Sequence, residues 1–458
     1  MGIITNNITA RLSRESRQTL GYTMARDATL LAGSQYLAAG IGFMTNVVAA
    51  RMLGPTDYGI VAMVMAYPML LRSFIGIKSV SVTTRYIASF RSTQRNEELL
   101  SICKLGYGLD FFVSVIAFLL VGLTGSLVAR TILVNDTPGI SWLMMAYAAS
   151  FPLFSLNGTS WAILSSCQRF RWLATLQILD KGITLLLVVS LLLFGYGILG
   201  VIVGTALGQV AHGLMMMGVA TGVLSNDKIG LWWKASISNV STLRRELAHF
   251  FSWNFLNLTM SGLMGQVPQL LLGCFRGPEE AGFFRLAASF ITAGSYLENS
   301  LGKVSYPILA AKREIGDRDK LNRTLKHWTL QMGLPACFLI SITIPLLSML
   351  IPEILGYSYS PMVIGTQIMM IGTAASAPFF WLNSYYYALG MVEQWAKFYS
   401  LYAALSIGLG FLAIYGWGFI GVGVVTGVGK VIFTGVMVGL FVMNRERSRE
   451  SFRLSESR

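Results

Sequence analysis

Along the chain, long apolar stretches alternate with short polar ones. Twelve apolar segments stand out, at about 28–50, 60–80, 105–129, 141–166, 173–194, 201–224, 250–275, 283–303, 328–351, 362–388, 398–415 and 420–443. Most approach or exceed the ~20 residues that a helix needs to cross the hydrocarbon core of a bilayer. Charges interrupt the second and eighth, so their edges are the softest. The pattern predicts an all-α membrane protein of about twelve transmembrane helices. The polar stretch near the middle divides it into a tail (1–27), a six-helix bundle (28–224), a linker (225–249), a second six-helix bundle (250–443) and a final tail (444–458).

Composition agrees. The 458 residues are 54% hydrophobic and only 12% charged, where a soluble domain carries about 25% charged residues. A single cytosolic globule and a disordered chain are both excluded. The four cysteines show no CxxC or Cys/His pairing, so they read as small apolar side chains, and neither a metal site nor a disulfide framework is expected. The polar, Arg-bearing N-terminus has no apolar signal region, so the first span is expected to direct insertion itself.

A net charge of +14 invites a nucleic-acid reading. The position of the charges argues otherwise. With the N-terminus inside, 28 of the 35 Lys and Arg fall on inside segments and only Arg51, Arg130 and Arg276 outside; Arg72, Lys181, Arg285 and Lys430 fall within spans. Positive residues concentrate on the cytoplasmic side of membrane proteins. Both termini are therefore expected in the cytoplasm, in the cell's inner membrane, with no nucleic acid as partner. The basic loops face anionic lipid headgroups, each charge worth about 1 kcal/mol near the surface.

The two halves repeat each other. Leu53-Gly54-Pro55-Thr56-Asp57-Tyr58-Gly59 follows the first span, and Arg276-Gly277-Pro278-Glu279-Glu280-Ala281-Gly282 follows the seventh, at an offset of 223. Gly195-Tyr196-Gly197-Ile198-Leu199-Gly200 precedes the sixth span, and Gly416-Trp417-Gly418-Phe419-Ile420-Gly421 precedes the twelfth, at an offset of 221. Six spans per half make this a parallel repeat about an axis along the membrane normal, an arrangement that supports alternating access between the halves. The first of the second pair also spells GxGxxG. It follows a helix and not a strand, so the dinucleotide-binding context is absent.

These residues resemble the polysaccharide-transporter branch of the multidrug/oligosaccharidyl-lipid/polysaccharide flippase superfamily. The carriers are Ala50 to Gly59, Leu271 to Gly282 and, more weakly, the turn Ser165-Ser166-Cys167-Gln168-Arg169-Phe170. One departure stands out: Pro268 and Gln269 occupy the place where many relatives have an acid followed by a base. The resemblance implies two six-helix bundles in a V around a central cavity. It further implies translocation of a polyprenyl-diphosphate-linked oligosaccharide for O-antigen, capsule or exopolysaccharide biosynthesis. The lipid-linked oligosaccharide and the bilayer are then the partners, with H+ or Na+ as a coupling ion if export is ion-driven. Polysaccharide assembly proteins are a further partner class, docking on the basic loop after span 8. No cofactor and no enzymatic activity are expected.

Ionisable residues inside spans are functional candidates by default. Arg72 and Lys430 are among the deepest and are candidates for substrate binding, each set against a structural ion pair. Thr426, Lys430 and Thr434 share a helical face, and the duplicated face carries Thr205, Gln209 and His212. Gln209 is therefore a substrate candidate, while His212 reads more simply as packing. Arg285 and Lys181 are further substrate candidates; an interfacial arginine is the plainer reading of the first. Lys181 adjoins Asp180, but helical neighbours point about 100° apart and need not pair. Asn254 and Asn257 either join helices or meet sugar hydroxyls. Asp180 and Glu298 are the ion-coupling candidates. Two other classes stay open: a cation-coupled drug or small-molecule antiporter, which wants acids in its spans, and a polysaccharide polymerase or acyltransferase, which wants a catalytic loop that this chain lacks.

Overall fold

A computed structural model describes residues 2–75, 80–132, 139–236, 244–315 and 318–456, with side chains at most positions between 30 and 443. Among the described residues there is no strand. Seven helices are long and apolar enough to cross a membrane by length and composition. Two of these make two passes each, because Gly2–Ile75 breaks at Gly54 (φ 80°) and Val392–Glu456 breaks at Gly418 (φ 54°). Positive φ is the region that glycine enters without penalty. Pro55 then sets the first turn of the next helix, and Gly277 (φ 100°) with Pro278 does the same in the second half. The repeated motifs are thus the turns themselves.

Spans 1 and 2 lie on either side of Gly54, and spans 11 and 12 on either side of Gly418. Span 3 is Asn96–Ile132, span 5 Phe170–Leu193, span 6 Gly197–Asn226, span 7 Arg244–Arg276 and span 8 Pro278–Ile315. The rest are broken where the apolar pattern suggested single runs. Span 4 consists of Ile140–Ala148, Phe151–Phe154 and Leu156–Ser166, interrupted beside Pro152. Span 10 has a tight turn at Ala377–Phe379, at Pro378. Span 9 opens as a π turn, Thr329–Gly333, just ahead of Pro335. Proline removes a helix hydrogen bond, and in hydrocarbon the freed groups must be satisfied nearby. Beside the break, Ser150 and Ser155 donate to the carbonyls of Tyr147 and Pro152. Helices also outrun their apolar cores; span 3 begins nine residues before the apolar run at 105.

Large apolar side chains such as Leu123, Leu186, Phe338, Leu339, Leu405 and Leu412 are exposed on the outside of the bundle. Lipid is the solvent that tolerates them. On the basic face, Arg91 and Arg169 both grip Asp227, at 3.1 and 2.8 Å. There too Arg95 donates to Glu98 and holds its carboxyl below the usual range.

Spans 5 and 6 run antiparallel in close contact. Gly200, Gly204 and Gly208 recur every fourth residue, and a Cβ on each would lie 3.1 Å from the Leu191 side chain, 2.9 Å from the Val188 backbone nitrogen, or in overlap with Thr184. Small residues at such spacing let membrane helices approach. One turn further, the same stripe carries His212 and sets it opposite Asp180.

The repeated turns also pack against one another, at the end of the molecule opposite the basic face. Thr56 donates to the Glu279 carboxylate at 2.7 Å, and these are equivalent positions of the repeat. Gly59 lies against the Pro278 carbonyl, and Gly282 lies against Gly59. Tyr359 donates to the Ala50 carbonyl at 2.7 Å and Arg51 to that of Ile354 at 3.2 Å. Nearer the basic face, Thr259 meets the Ser73 carbonyl, and Tyr36 donates to that of Tyr296 at 3.0 Å. The halves therefore touch at both ends of the space between them.

Candidate functional site

That space is a cavity of about 710 Å³, bounded by spans 1, 2, 5, 6, 7 and 8. Span 1 contributes Gln35, Thr45 and Asn46; span 2, Tyr58; span 5, Gln177, Asp180, Lys181 and Thr184; span 7, Gln266 and Gln269; span 8, Arg285, Ser289 and Thr292. Its charged lining is therefore two bases and one acid. Asp180 and Lys181 do pair, at 2.9 Å, because both side chains bend toward the open cavity. The 100° between neighbours is bridged by the length of the lysine.

Arg285 is different. Among the described residues, no carboxylate comes within ion-pair distance of it. Its guanidinium donates to the Met65 sulfur at 3.5 Å, and a thioether is a weak acceptor. Around it runs a neutral network. Tyr58 donates to Asn46 at 3.3 Å, Asn46 to Ser289 at 3.2 Å, and Ser289 to the Arg285 carbonyl at 3.1 Å. These bonds cross from span 1 to span 8, so they fix the arginine relative to both halves. Gln269 donates to the Ala62 carbonyl and joins span 7 to span 2 at the cavity wall.

Other sequence candidates lie elsewhere. Arg72 does not line this cavity. It points into the first bundle, its guanidinium 5.2 and 4.6 Å from the ring centres of Phe151 and Phe154, within the range of cation–π attraction. Lys430 and Glu298 form an ion pair at 3.3 Å inside the second bundle, with Ser376 donating to the same carboxylate oxygen. Gln209 is consumed by packing: it donates to Tyr147 and accepts from Ser150. The Asn254 and Asn257 side chains lie outside the described residues. Of the candidates, the cavity unites Arg285, Lys181 and Asp180. Asn46 and Ser289 carry no charge and were not among the candidates, although an Asn in span 1 is a signal in hydrocarbon; Tyr58 stood out only as part of the repeated turn, and Gln269 only as a departure from the family pattern.

The Lys430–Glu298 pair yields a direct test. Removing one partner strands a charge, whereas removing both replaces an ion pair with apolar packing. Lys430→Met alone is expected to lower the thermal unfolding temperature of the purified protein more than the double variant with Glu298→Met does. Equal losses would mean that the pair is not coupled.

Comparison with known proteins fits this geometry. Residues 24–312 match the polysaccharide biosynthesis protein family. The chain belongs to that family. The inner membrane protein YghQ of Escherichia coli (strain K12) is 21% identical over 290 residues, 62% of this chain and 79% of YghQ. The inward-closed structure of the lipid II flippase MurJ superposes with a TM-score of 0.71 at 16% identity, covering 91% of this chain and 87% of MurJ. An inward-facing multidrug resistance MATE transporter of the MOP superfamily gives 0.70 at 14% identity, covering 92% and 94%. A MOP superfamily transporter from Pyrococcus furiosus, described as having a binding pocket of reverse polarity, gives 0.58 at 14% identity, covering 92% and 95%. The chain is a multi-pass integral membrane protein with the fold of these MOP-superfamily transporters.

Proposed function

We propose that the protein translocates a polyprenyl-diphosphate-linked oligosaccharide from the inner to the outer leaflet by alternating access between its two six-helix halves. The observation that carries this reading is Arg285, a cation held at the wall of an inter-half cavity with no carboxylate among the described residues to neutralise it. A diphosphate left unpaired in hydrocarbon is prohibitively costly. A hydrated cavity with a net positive lining removes that cost, while the prenyl tail stays in lipid. The amides and hydroxyls of Asn46, Gln266, Gln269 and Ser289 suit sugar hydroxyls. The basic face is the cytoplasmic one, by the distribution of Lys and Arg, and both termini lie there.

The cation antiporter is the weaker reading. Asp180, the cavity's acid, is already held by Lys181, and Glu298 by Lys430. Among the described residues that line the cavity, a cationic substrate would find no free carboxylate. The same pairs leave Asp180 and Glu298 as candidates for H+ or Na+ coupling through exchange of partners.

Reconstitution into vesicles tests the reading. A fluorescent short-chain prenyl-diphosphate oligosaccharide, loaded in one leaflet, should become accessible to a membrane-impermeant quencher on the other side faster with the protein than without it. Equal rates would overturn the proposal.

A further inference from the structure

His212 stands directly behind the cavity wall. It is buried on span 6, with 9% of its side chain exposed, and its Nδ1 has no hydrogen-bond partner. That nitrogen lies 4.0 Å from Asp180 Oδ1, while Asp180 Oδ2 holds the Lys181 ammonium at 2.9 Å. Asp180 and Lys181 line the cavity; His212 does not. One carboxylate is thus shared between a cavity-facing lysine and a hidden imidazole. The glycine stripe fixes this register, so the approach is a product of helix packing.

We propose that His212 is a proton-binding site, and that a proton on its Nδ1 draws Asp180 away from Lys181 and presents the lysine ammonium to an anion in the cavity. Unprotonated, Nδ1 turns a lone pair toward the carboxylate, which explains the unmade bond at 4.0 Å. Adding a proton supplies an N–H donor there, and Asp180 then has two cationic suitors. The groups around His212 are few. Asp180 and Lys181 face it from span 5. Phe154 of span 4 lies 6.1 Å away ring to ring, and span 4 carries no charged residue. Arg72 of span 2 stands over that same Phe154 ring. Among the described residues Asp180 is the acid that faces His212, and Asp110 acts on Arg72 beyond it, so protonation adds one positive charge beside a carboxylate that Lys181 already holds. That state is costly when the cavity is empty and is relieved by an anion. Proton and anion bind with mutual support, and linkage requires each to raise the affinity for the other.

The inference rests on the diphosphate reading above, and the experiment separates the two. The probe is a short-chain prenyl diphosphate bearing one sugar, whose disubstituted diphosphate keeps both charges near neutral pH. Its binding to the full-length protein in detergent is measured by calorimetry at about pH 6 and about pH 8, across the range in which histidine titrates. Buffers of different ionisation enthalpy count the protons taken up. Wild type should bind roughly tenfold more tightly at the lower pH, a usual size for coupled sites, and should take up protons on binding. His212→Gln should take up none and bind equally at both. Its monodisperse elution and thermal unfolding report that it is folded. Proton uptake that persists in His212→Gln, or wild-type binding indifferent to pH, overturns the proton site and leaves the cargo reading standing. No binding by wild type at either pH overturns both.

Discussion

Arg285→Ala abolishes translocation of a diphosphate-linked oligosaccharide while leaving the protein inserted and folded. Without cargo the arginine does little for the fold. Its polar contacts are neutral, the Met65 sulfur at 3.5 Å and the Tyr58 hydroxyl, and no acid pairs with it among the described residues. Truncation therefore strands no carboxylate, and the cost to the fold is small. With cargo bound, the guanidinium faces a dianion in a low-dielectric pocket. Truncating one partner of such a pair costs about 2–5 kcal/mol, which is a loss of roughly thirtyfold to several-thousandfold in an affinity. The leaflet-exchange assay should read a drop of about a hundredfold or more. Arg285→Lys should recover part of it, since the charge remains while the planar fork is lost. Thermal unfolding within a few degrees of wild type would show that the loss is functional. Wild-type rates in Arg285→Ala would remove the anion site.

How far the residues alone led is clearest from where the charges went. That Arg72 and Lys430 belong to apolar helices is legible, although Arg72 stands in the last turn before Ile75 and not midway along. Azimuth is not. Which face meets the cavity depends on partner helices, and a break in span 4 at Pro152 swings Phe151 and Phe154 over Arg72. Lys430 is likewise captured by Glu298, 132 residues away, which no local pattern reveals. The glycines fared otherwise. Gly54-Pro55 and Gly277-Pro278 are recognisable as turns, and the repeat at offset 223 anticipates that Thr56 and Glu279 are equivalent. That equivalent residues also touch follows from a two-fold axis passing between them, a fact about the assembled halves. The small-residue stripe at Gly200, Gly204 and Gly208 was present in the chain as well. It marks a helix-packing face on span 6 that carries His212, while the register that sets Asp180 opposite comes from the packed helices.

That contact at the axis makes the second large prediction. Gly59→Val should stall transport by about a hundredfold without unfolding the protein. A Cβ on Gly59 would overlap the Pro278 carbonyl, and backbone cannot move aside as a flexible side chain does. Overpacking a tight contact costs about 1–3 kcal/mol, and here the strain has a ready escape. The two halves need only part at this end, breaking the Thr56–Glu279 bond at 2.7 Å, to relieve it. The fold survives, but the conformer closed on the side opposite the basic face is depopulated. At 3 kcal/mol its share falls by roughly 150-fold, and a cycle that must pass through it slows accordingly. A cysteine at Thr45, on the cavity wall, reports the change. In a background with Cys274 and Cys337 replaced, it should react with a membrane-impermeant thiol reagent added on the opposite face in the Gly59→Val protein and resist it otherwise. Gly218→Val is the control: a Cβ there meets nothing within 4 Å, so both readouts should match wild type. Undiminished transport in Gly59→Val would mean that the repeated turns never need to meet, and that the contact seen between them is not a gate.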